Sequence, residues 1–241
     1  MFRSTIGKAS AAFLVLLAAV GTARAGGAFQ NGLPEGAVRK IKELLRNDSR
    51  IKCVAFTSTG GWAILFDDNG FMARDIPEDA FAKLKEMAAN GVVLRWIAFT
   101  PNDGFVILGE KGAFFAKDIP PPALRRLKAA SDNGDDLKSM TFAGKNGWVL
   151  IAEGGFAADG IPNDAFRQLQ KLNGAGEHLK SVAFTPNGGW IVLVNRDGAW
   201  DANIPEAVFA KIDELQKVGG FRLNCVAFPP NGENAWVLIV D

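Results

Sequence analysis

A unit of 42–44 residues repeats along this chain and constrains its fold more than any other feature. In each of five copies an aromatic residue marks the end of a predicted strand, at Phe56, Phe99, Phe142, Phe184 and Phe228. A second aromatic follows six residues later, or eight in the fifth copy, at Trp62, Phe105, Trp148, Trp190 and Trp236. A fixed period of this length indicates stacked copies of one supersecondary unit.

The pattern within a copy predicts three strands followed by a helix. Residues 181–194, SVAFTPNGGWIVLV, are typical of a strand, a tight turn and a second strand. A short third strand, such as 71–73 or 114–116, is reached through a turn that contains glycine. A Leu-Pro or Ile-Pro pair then leads to apolar residues at i, i+3 and i+6, as in Phe81, Leu84 and Met87, which form one helix face. With Pro at the first helical position and acids after it, each unit is predicted to be β-β-β-α.

The two ends of the repeated region complement each other. Residues 27–34 match a third strand and its Pro pair, and a helix is predicted over about residues 35–46. The last copy stops at Asp241, after its second strand. An open array would leave an unpaired strand edge at each end. We therefore expect a mostly β fold with helices, in which five tandem units close into a propeller-like ring and both termini complete the last unit. An open β-β-β-α array is the alternative.

Residues 1–25 are typical of a secretory signal peptide. Arg3 and Lys8 precede an apolar run over 11–20, and Ala23-Arg24-Ala25 fits a cleavage site. An uncleaved anchor is the alternative, but the run is short for a membrane span. The sequence thus predicts a secreted or periplasmic protein with one repeat domain over 26–241 and no membrane span after cleavage. Cleavage would change the formal net charge from +1 to about −2, so no basic excess favours nucleic acid.

The repeat also resembles known propeller sequences. SVAFTPNGGW at 181–190 and CVAFPPNG at 225–232 resemble the strand-turn-strand of WD-type repeats. The five copies are similar in number to those of the five-bladed tachylectin-type lectins, which bind amino sugars between blades. The resemblance implies a five-bladed β-propeller and a glycan as one ligand class. The WD dipeptide and the Gly-His pair are missing, a helix replaces the fourth strand, and no sugar-binding residue carries over.

The sequence offers no constellation of residues for catalysis or for a metal. His178 is the one histidine, in a loop, whereas metal sites and catalytic triads need several positioned groups. Polar residues recur just before the helices, at Asp75, Asp118, Asp159, Asn31 and Asn203. We expect them to cap helices or turns, with a polar rim as the alternative. No catalytic residue, cofactor or metal is predicted, and the chain is interpreted as non-enzymatic.

Cys53 and Cys225 occupy equivalent positions, three residues before Phe56 and Phe228. In a closed ring their units are neighbours, and export would allow a disulfide between them. However, equivalent positions point to the same side of their sheets, so one thiol would face the shared interface and the other away from it. This reasoning favours two buried thiols over a disulfide.

The candidates for ligand binding are residues that depart from the repeat. The aromatics that open the second strands are expected to be core wedges, but Trp96 and Trp200 stand where other copies carry different residues. The loop over 229–235 is two residues longer than its counterparts and contributes Asn231, Glu233 and Asn234. Extra loop length is a place where binding can be added. A detail of the ring closure is the alternative.

The predicted function is that of an exported binding module whose ligand is a glycan or a protein on the loop face. A protein-interaction scaffold that uses the Lys- and Arg-rich peripheral helices is the alternative. A hydrolase with a site on the rim is the least favoured hypothesis, because no pair of carboxylates departs from the repeat.

Overall fold

The structure is a computed structural model, and it describes residues 16–17, 26–195 and 198–241. The predicted signal peptide lies outside the described residues except for Leu16–Leu17. The described helices are α1 (Glu35–Arg46), α2 (Glu78–Ala89), α3 (Pro121–Asp132), α4 (Asn163–Gly174) and α5 (Glu206–Val218). The described strands are β1 (Leu16–Leu17), β2 (Gly27–Asn31), β3 (Ile51–Phe56), β4 (Trp62–Phe66), β5 (Gly70–Arg74), β6 (Leu94–Phe99), β7 (Phe105–Gly109), β8 (Phe114–Lys117), β9 (Leu137–Ala143), β10 (Gly147–Ala152), β11 (Gly155–Asp159), β12 (Leu179–Phe184), β13 (Trp190–Val194), β14 (Ala199–Ala202), β15 (Leu223–Ala227) and β16 (Trp236–Val240).

The strands form five antiparallel sheets, one for each unit. Units I to IV each use three consecutive strands: β3-β4-β5, β6-β7-β8, β9-β10-β11 and β12-β13-β14. Each central strand reads as an apolar run and is buried along most of its length, because its sheet is covered on both faces. A helix follows each third strand. The predicted β-β-β-α units are therefore confirmed.

The sheet of unit V joins the two ends of the chain. Its order is β2-β16-β15, and β1 pairs with the outer side of β2. Phe29 of β2 lies opposite Leu238 of β16, which lies opposite Val226 of β15. The backbones of Arg222 and Asp241 exchange two further hydrogen bonds of 2.9 Å. The two end fragments thus build one unit together, as their sequences predict.

The first strands of the five units, β3, β6, β9, β12 and β15, contact one another in that order, and β15 contacts β3. We call this closed series of contacts the inner ring. Apolar cores fill the spaces between successive sheets, and the aromatics that open the second strands lie within them: Trp62, Phe105, Trp148, Trp190 and Trp236 are at most 5% exposed. Within the described residues, none of the helices has the length and apolar character needed to cross a membrane.

The recurring Pro lies just before each helix rather than at its first position, and α1 matches the predicted range of 35–46. Pro34 precedes α1 with ψ 133°, an extended backbone, and its carbonyl accepts the first helical hydrogen bond from Val38 N at 3.1 Å. The same arrangement recurs before the other four helices. The recurring Pro is therefore the N-terminal cap residue rather than the first helical residue. Proline suits this position because the cap donates no backbone hydrogen bond inside the helix.

The polar residues before the helices do not cap them, since none of the five described helices has a side-chain cap at its N-terminus; the helix-capping half of that prediction is therefore wrong. Asp75, Asp118 and Asn203 instead have φ of 54°, 53° and 55°, a left-handed backbone that Asp and Asn tolerate better than most residues. Asp159 and Asn31 lie one position earlier, in strands, and Gly160 and Gly32 take the left-handed position, both with φ 64°.

The left-handed residue before a helix places its carbonyl oxygen next to the turn between the first and second strands of the same sheet. A Cβ on Gly104, which ends the turn of unit II, would lie 2.1 Å from the Asp118 carbonyl oxygen. Gly61 and Gly189 are equally crowded, with 2.0 and 2.1 Å to the corresponding oxygens. The close approach explains why glycine ends these turns, and it fixes where each turn sits relative to its sheet.

Candidate functional site

The turn that follows each inner strand is held by the same hydrogen bonds in several units. Thr185 N donates to Gly189 O at 2.8 Å, and Gly189 N donates back to the Thr185 hydroxyl at 2.8 Å. Thr57 and Gly61 repeat this exchange in unit I, with 2.9 and 2.8 Å. Because the turns are braced, the phenylalanine that precedes each of them is held at a fixed place. We call the end of the inner ring that carries these turns the turn face.

An axial cavity of about 310 Å³ lies at the turn face. Inner strands of all five units line it, and each contributes its repeat phenylalanine, Phe56, Phe99, Phe142, Phe184 and Phe228. The residue before each phenylalanine is small and also lines the cavity, Ala55, Ala98, Thr141, Ala183 and Ala227. These small side chains leave the axis unfilled. Pro101, Pro186 and Pro230 border the opening, so the cavity is accessible from the turn face.

The lining of the cavity contains no charged residue. Two of its three threonines are already engaged: Thr141 donates to Val182 O at 2.8 Å, and Thr185 accepts from Gly189 N. The Thr100 hydroxyl has no hydrogen-bond partner among the described residues, and it lies against Gly104 of its own turn. A wall without charged side chains favours an uncharged guest, because a buried charge without a partner is costly.

Side chains from each inner strand bond the backbone of the next one. The Cys53 thiol donates to Ile97 O at 3.4 Å, the Trp96 indole to Met140 O at 2.6 Å, and the Ser139 hydroxyl to Lys180 O at 2.9 Å. At the joint between units V and I, the Cys225 thiol contacts Val54 O at 4.0 Å. These bonds satisfy carbonyls on the free edge of each inner strand, and they keep the wall of the cavity in register.

A β-bulge recurs at the far end of every inner strand, away from the turn face. The bulged residues are Lys52, Arg95, Lys138, Lys180 and Asn224. A bulge redirects its side chain, and here several of these side chains reach the neighbouring unit.

Three joints illustrate this reach. Arg95 pairs with Asp136 of unit III, and Lys180 Nζ donates to Leu223 O at 2.5 Å and to Asn224 Oδ1 at 2.9 Å. Asn224 in turn donates to Ile51 O at 3.3 Å. Burial lowers the pKa of Lys52, which donates to Asp68 O at 2.9 Å. Arg95 and Lys180 thus join neighbouring units, whereas Lys52 bonds within its own unit, and these charges lie at the opposite end of the axis from the cavity.

The structure places Trp96 and the long loop of unit V at the turn face. Trp96 is 8% exposed and lines the cavity, with its indole N–H engaged by Met140. Asn231 donates to Ser58 O of unit I, and the backbone carbonyl of Asn234 accepts from the Asn31 side chain at 2.9 Å. Glu233 is exposed beside them. The extra loop length thus ties unit V both to unit I and to the N-terminal strand.

Trp200 lies apart from this group. It is half-buried on β14, an outer strand, opposite Val192. The structure therefore does not bring the two irregular tryptophans together. Their roles in binding, like those of Asn231, Glu233 and Asn234, stay predictions.

Both cysteines are free and fully buried in this structure. The two thiols are close enough to interact, and burial raises the pKa of the Cys53 thiol well above its ordinary value. Cys225 faces unit I and Cys53 faces unit II, as their equivalent positions imply. The preference for two buried thiols over a disulfide stays a prediction.

The one histidine lines a different pocket from the axial cavity. His178 borders a cleft of about 230 Å³ with Lys138, Glu177 and Asn173, and its carbonyl accepts from Asn195 N at 2.9 Å. Over residues 26–195 and 198–241, His, Cys, Asp and Glu do not gather into a group of three or more that could hold a metal ion.

Sequence reasoning identified the phenylalanines as repeat markers but missed the cavity that they surround. The signal was present: every one of the five is preceded by Ala or Thr, and these residues are too small to fill the axis. A second missed signal is the position three residues before each phenylalanine. All five residues there can donate a hydrogen bond: Cys53, Trp96, Ser139, Ser181 and Cys225.

Comparison with known proteins finds no protein-family model that matches the chain and no curated protein of significantly similar sequence. The resemblance to propeller repeats and lectins therefore stays a prediction from the sequence.

Proposed function

We propose that this chain is an exported, non-enzymatic binding module, built as a five-bladed propeller, that binds a protein ligand across its turn face. The axial cavity carries this proposal. It gives the turn face an uncharged hollow at its centre, and exposed amides such as those of Asn102, Asn187 and Asn231 surround that hollow. An apolar centre with a polar rim is the usual anatomy of a protein–protein interface.

The propeller interpretation is supported by the closed series of contacts in the inner ring and by the joint construction of unit V. Closure by radial repetition leaves only short, protected strand edges. Export is supported by the composition of residues 1–25. A glycan is the less favoured ligand because two of the three threonines that line the cavity are already hydrogen-bonded within the protein, which leaves few side-chain partners for sugar hydroxyl groups.

Binding through the peripheral helices is the second candidate function, and one observation favours it. Phe81 of α2 and Phe209 of α5 are 41% and 53% exposed. A cation lies near Phe81, where Lys85 Nζ is 5.9 Å from the ring centroid, and exposed aromatics are common in interfaces. This candidate predicts that the ligand contacts the outside of the ring rather than its turn face.

Site-specific photocrosslinking in cells that export the protein distinguishes these candidates. A photoreactive amino acid is placed at Asn102 or Asn187 on the turn face, and at Lys85 or Arg126 on the exposed side of a helix. We expect protein adducts from the turn-face positions and none from the helix positions. Adducts from the helix positions alone would overturn the proposal in favour of the scaffold.

A glycan array with residues 26–241 tests the remaining ligand class. Saturable binding to one sugar class, lost when Asn187 is replaced by Arg, would overturn the assignment of a protein ligand. An array without binding, together with turn-face adducts, supports it.

A further inference from the structure

The axial cavity has the size of a site for one compact group. Its volume of about 310 Å³ lies at the lower end of the range for ligand pockets, roughly 300–1,000 Å³. Its wall is a ring of five phenyl groups interleaved with Ala55, Ala98, Ala183 and Ala227. Because the inner strands are bonded to one another around the ring, this wall has little freedom to collapse onto the axis.

The chemistry of the wall selects the charge of the guest. The cavity is lined by no charged residue, and the cations on the inner strands lie at the bulges, at the far end. A carboxylate or an ammonium group entering from the turn face would lose its hydration without gaining a partner. A neutral group therefore fits, and a charged one does not.

The phenyl groups further select the shape of the guest. Phe56, Phe99 and Phe228 are almost fully buried, and Phe142 and Phe184 are partly exposed at the opening. Aromatic rings pack favourably edge-to-face or offset against other rings, with a gain beyond that of apolar burial alone. A flat aromatic ring can make such contacts with several of the five phenyl groups at once.

We propose that the axial cavity accepts one neutral aromatic ring, and that the protein ligand is anchored by an exposed aromatic side chain such as Trp or Phe. This inference rests on the proposed binding across the turn face and names the group that the cavity recognises. The exposed amides of Asn102, Asn187 and Asn231 are placed to bond the polar backbone that flanks such an anchor.

Small probes test the cavity without any knowledge of the ligand. Binding of indole, a neutral aromatic ring, is measured by ligand-observed NMR and calorimetry on residues 26–241. Free tryptophan carries the same ring with two charges, and glucose is neutral but polar. We expect saturable one-to-one binding of indole, at least tenfold weaker binding of tryptophan and none of glucose.

Matched variants locate the binding. Ala183→Phe and Ala227→Phe each place a ring in the cavity, whereas Ala210→Phe places the same ring on the exposed side of α5. Indole affinity should fall at least tenfold in both cavity variants and remain unchanged in the helix variant. Circular dichroism and thermal unfolding show whether each cavity variant folds. If one of them fails to fold, indole affinity is compared in the other cavity variant alone.

Three results would overturn the inference: no saturable indole binding to the wild-type protein, unchanged affinity in a folded cavity variant, or glucose binding as strong as that of indole. The proposed function fails separately. If photocrosslinks form at the turn face but indole does not bind, then only the aromatic anchor is wrong. If indole binds but adducts form at the helices alone, then the cavity has the inferred chemistry but the turn face is not where the protein ligand binds.

Discussion

Replacing Leu238 with Ala tests whether unit V is packed as firmly as the units made from continuous chain. Leu238 is fully buried on β16, the central strand of the sheet of unit V, between Phe29 and Val226. Leu150 occupies the equivalent position in unit III and is 2% exposed. Truncating a buried leucine to alanine costs about 2–5 kcal/mol of unfolding free energy, from lost apolar transfer and the cavity left behind. We expect both Leu238→Ala and Leu150→Ala to fall in this range.

Urea unfolding of residues 26–241 provides the assay. The free energy of unfolding is obtained from the midpoint and slope, with tryptophan fluorescence and far-UV circular dichroism followed together to check that their transitions coincide. If the sheet of unit V unfolded independently of the other four sheets, Leu238→Ala would lower the free energy of unfolding by less than about 1 kcal/mol. Leu150→Ala would still lower it by the full amount. That difference between the two variants would refute the reasoning.

Three other predictions follow from individual residues. Gly104→Ala should lower the unfolding free energy by about 1–3 kcal/mol, because its new Cβ meets a backbone carbonyl, whereas Gly174→Ala, with open space around it, should cause no loss; urea unfolding measures both. Burial raises the pKa of Asp201, so the folded state disfavours its ionised form and stability is lost as pH rises from 3.8. Asp201→Asn should therefore raise the melting temperature at pH 7. This gain should disappear below about pH 3.8, where Asp201 is protonated in both states. Cys53 and Cys225 should resist a thiol reagent in the folded protein and both react after unfolding without reductant; absence of reactive thiols would show a disulfide.

The repeat architecture was predictable because it depends on local sequence patterns. Alternating apolar runs, glycine turns and the Pro-helix signal recur with a constant period, and each is set by a few neighbouring residues. Even the sheet of unit V could be predicted from the sequence, since the strands missing at one end of the repeated region match those present at the other end. These features need no knowledge of how sheets pack against each other.

The capping role of the polar residues before the helices was predicted wrongly because Asp and Asn serve two purposes. Asp and Asn before a helix are usual caps, but they also tolerate a left-handed backbone. Asp118 serves the second purpose, since its carbonyl must reach Gly104 across the sheet. That requirement comes from the packing of a turn against a distant segment, which local propensity does not contain.

The axial cavity was missed for a related reason. A phenylalanine at the end of a strand is ordinarily part of a filled core, and only the geometry of five converging strands leaves space between them. Whether that space exists depends on the volume of Ala98 and its counterparts. The sequence shows these residues to be small, but the distance between the strands is a property of the assembled ring.

Hydrogen exchange on the β2 backbone tests most directly that both ends of the chain build one closed ring. Its equivalent in unit I is β5, Gly70–Arg74, which lies in a sheet made of continuous chain. Native-state exchange of residues 26–241, followed by NMR, gives the protection of the hydrogen-bonded amides in each strand. The account predicts that β2 (Gly27–Asn31) and β5 are protected to a similar extent. Rapid exchange throughout β2, with β5 still protected, would contradict closure and leave an open array.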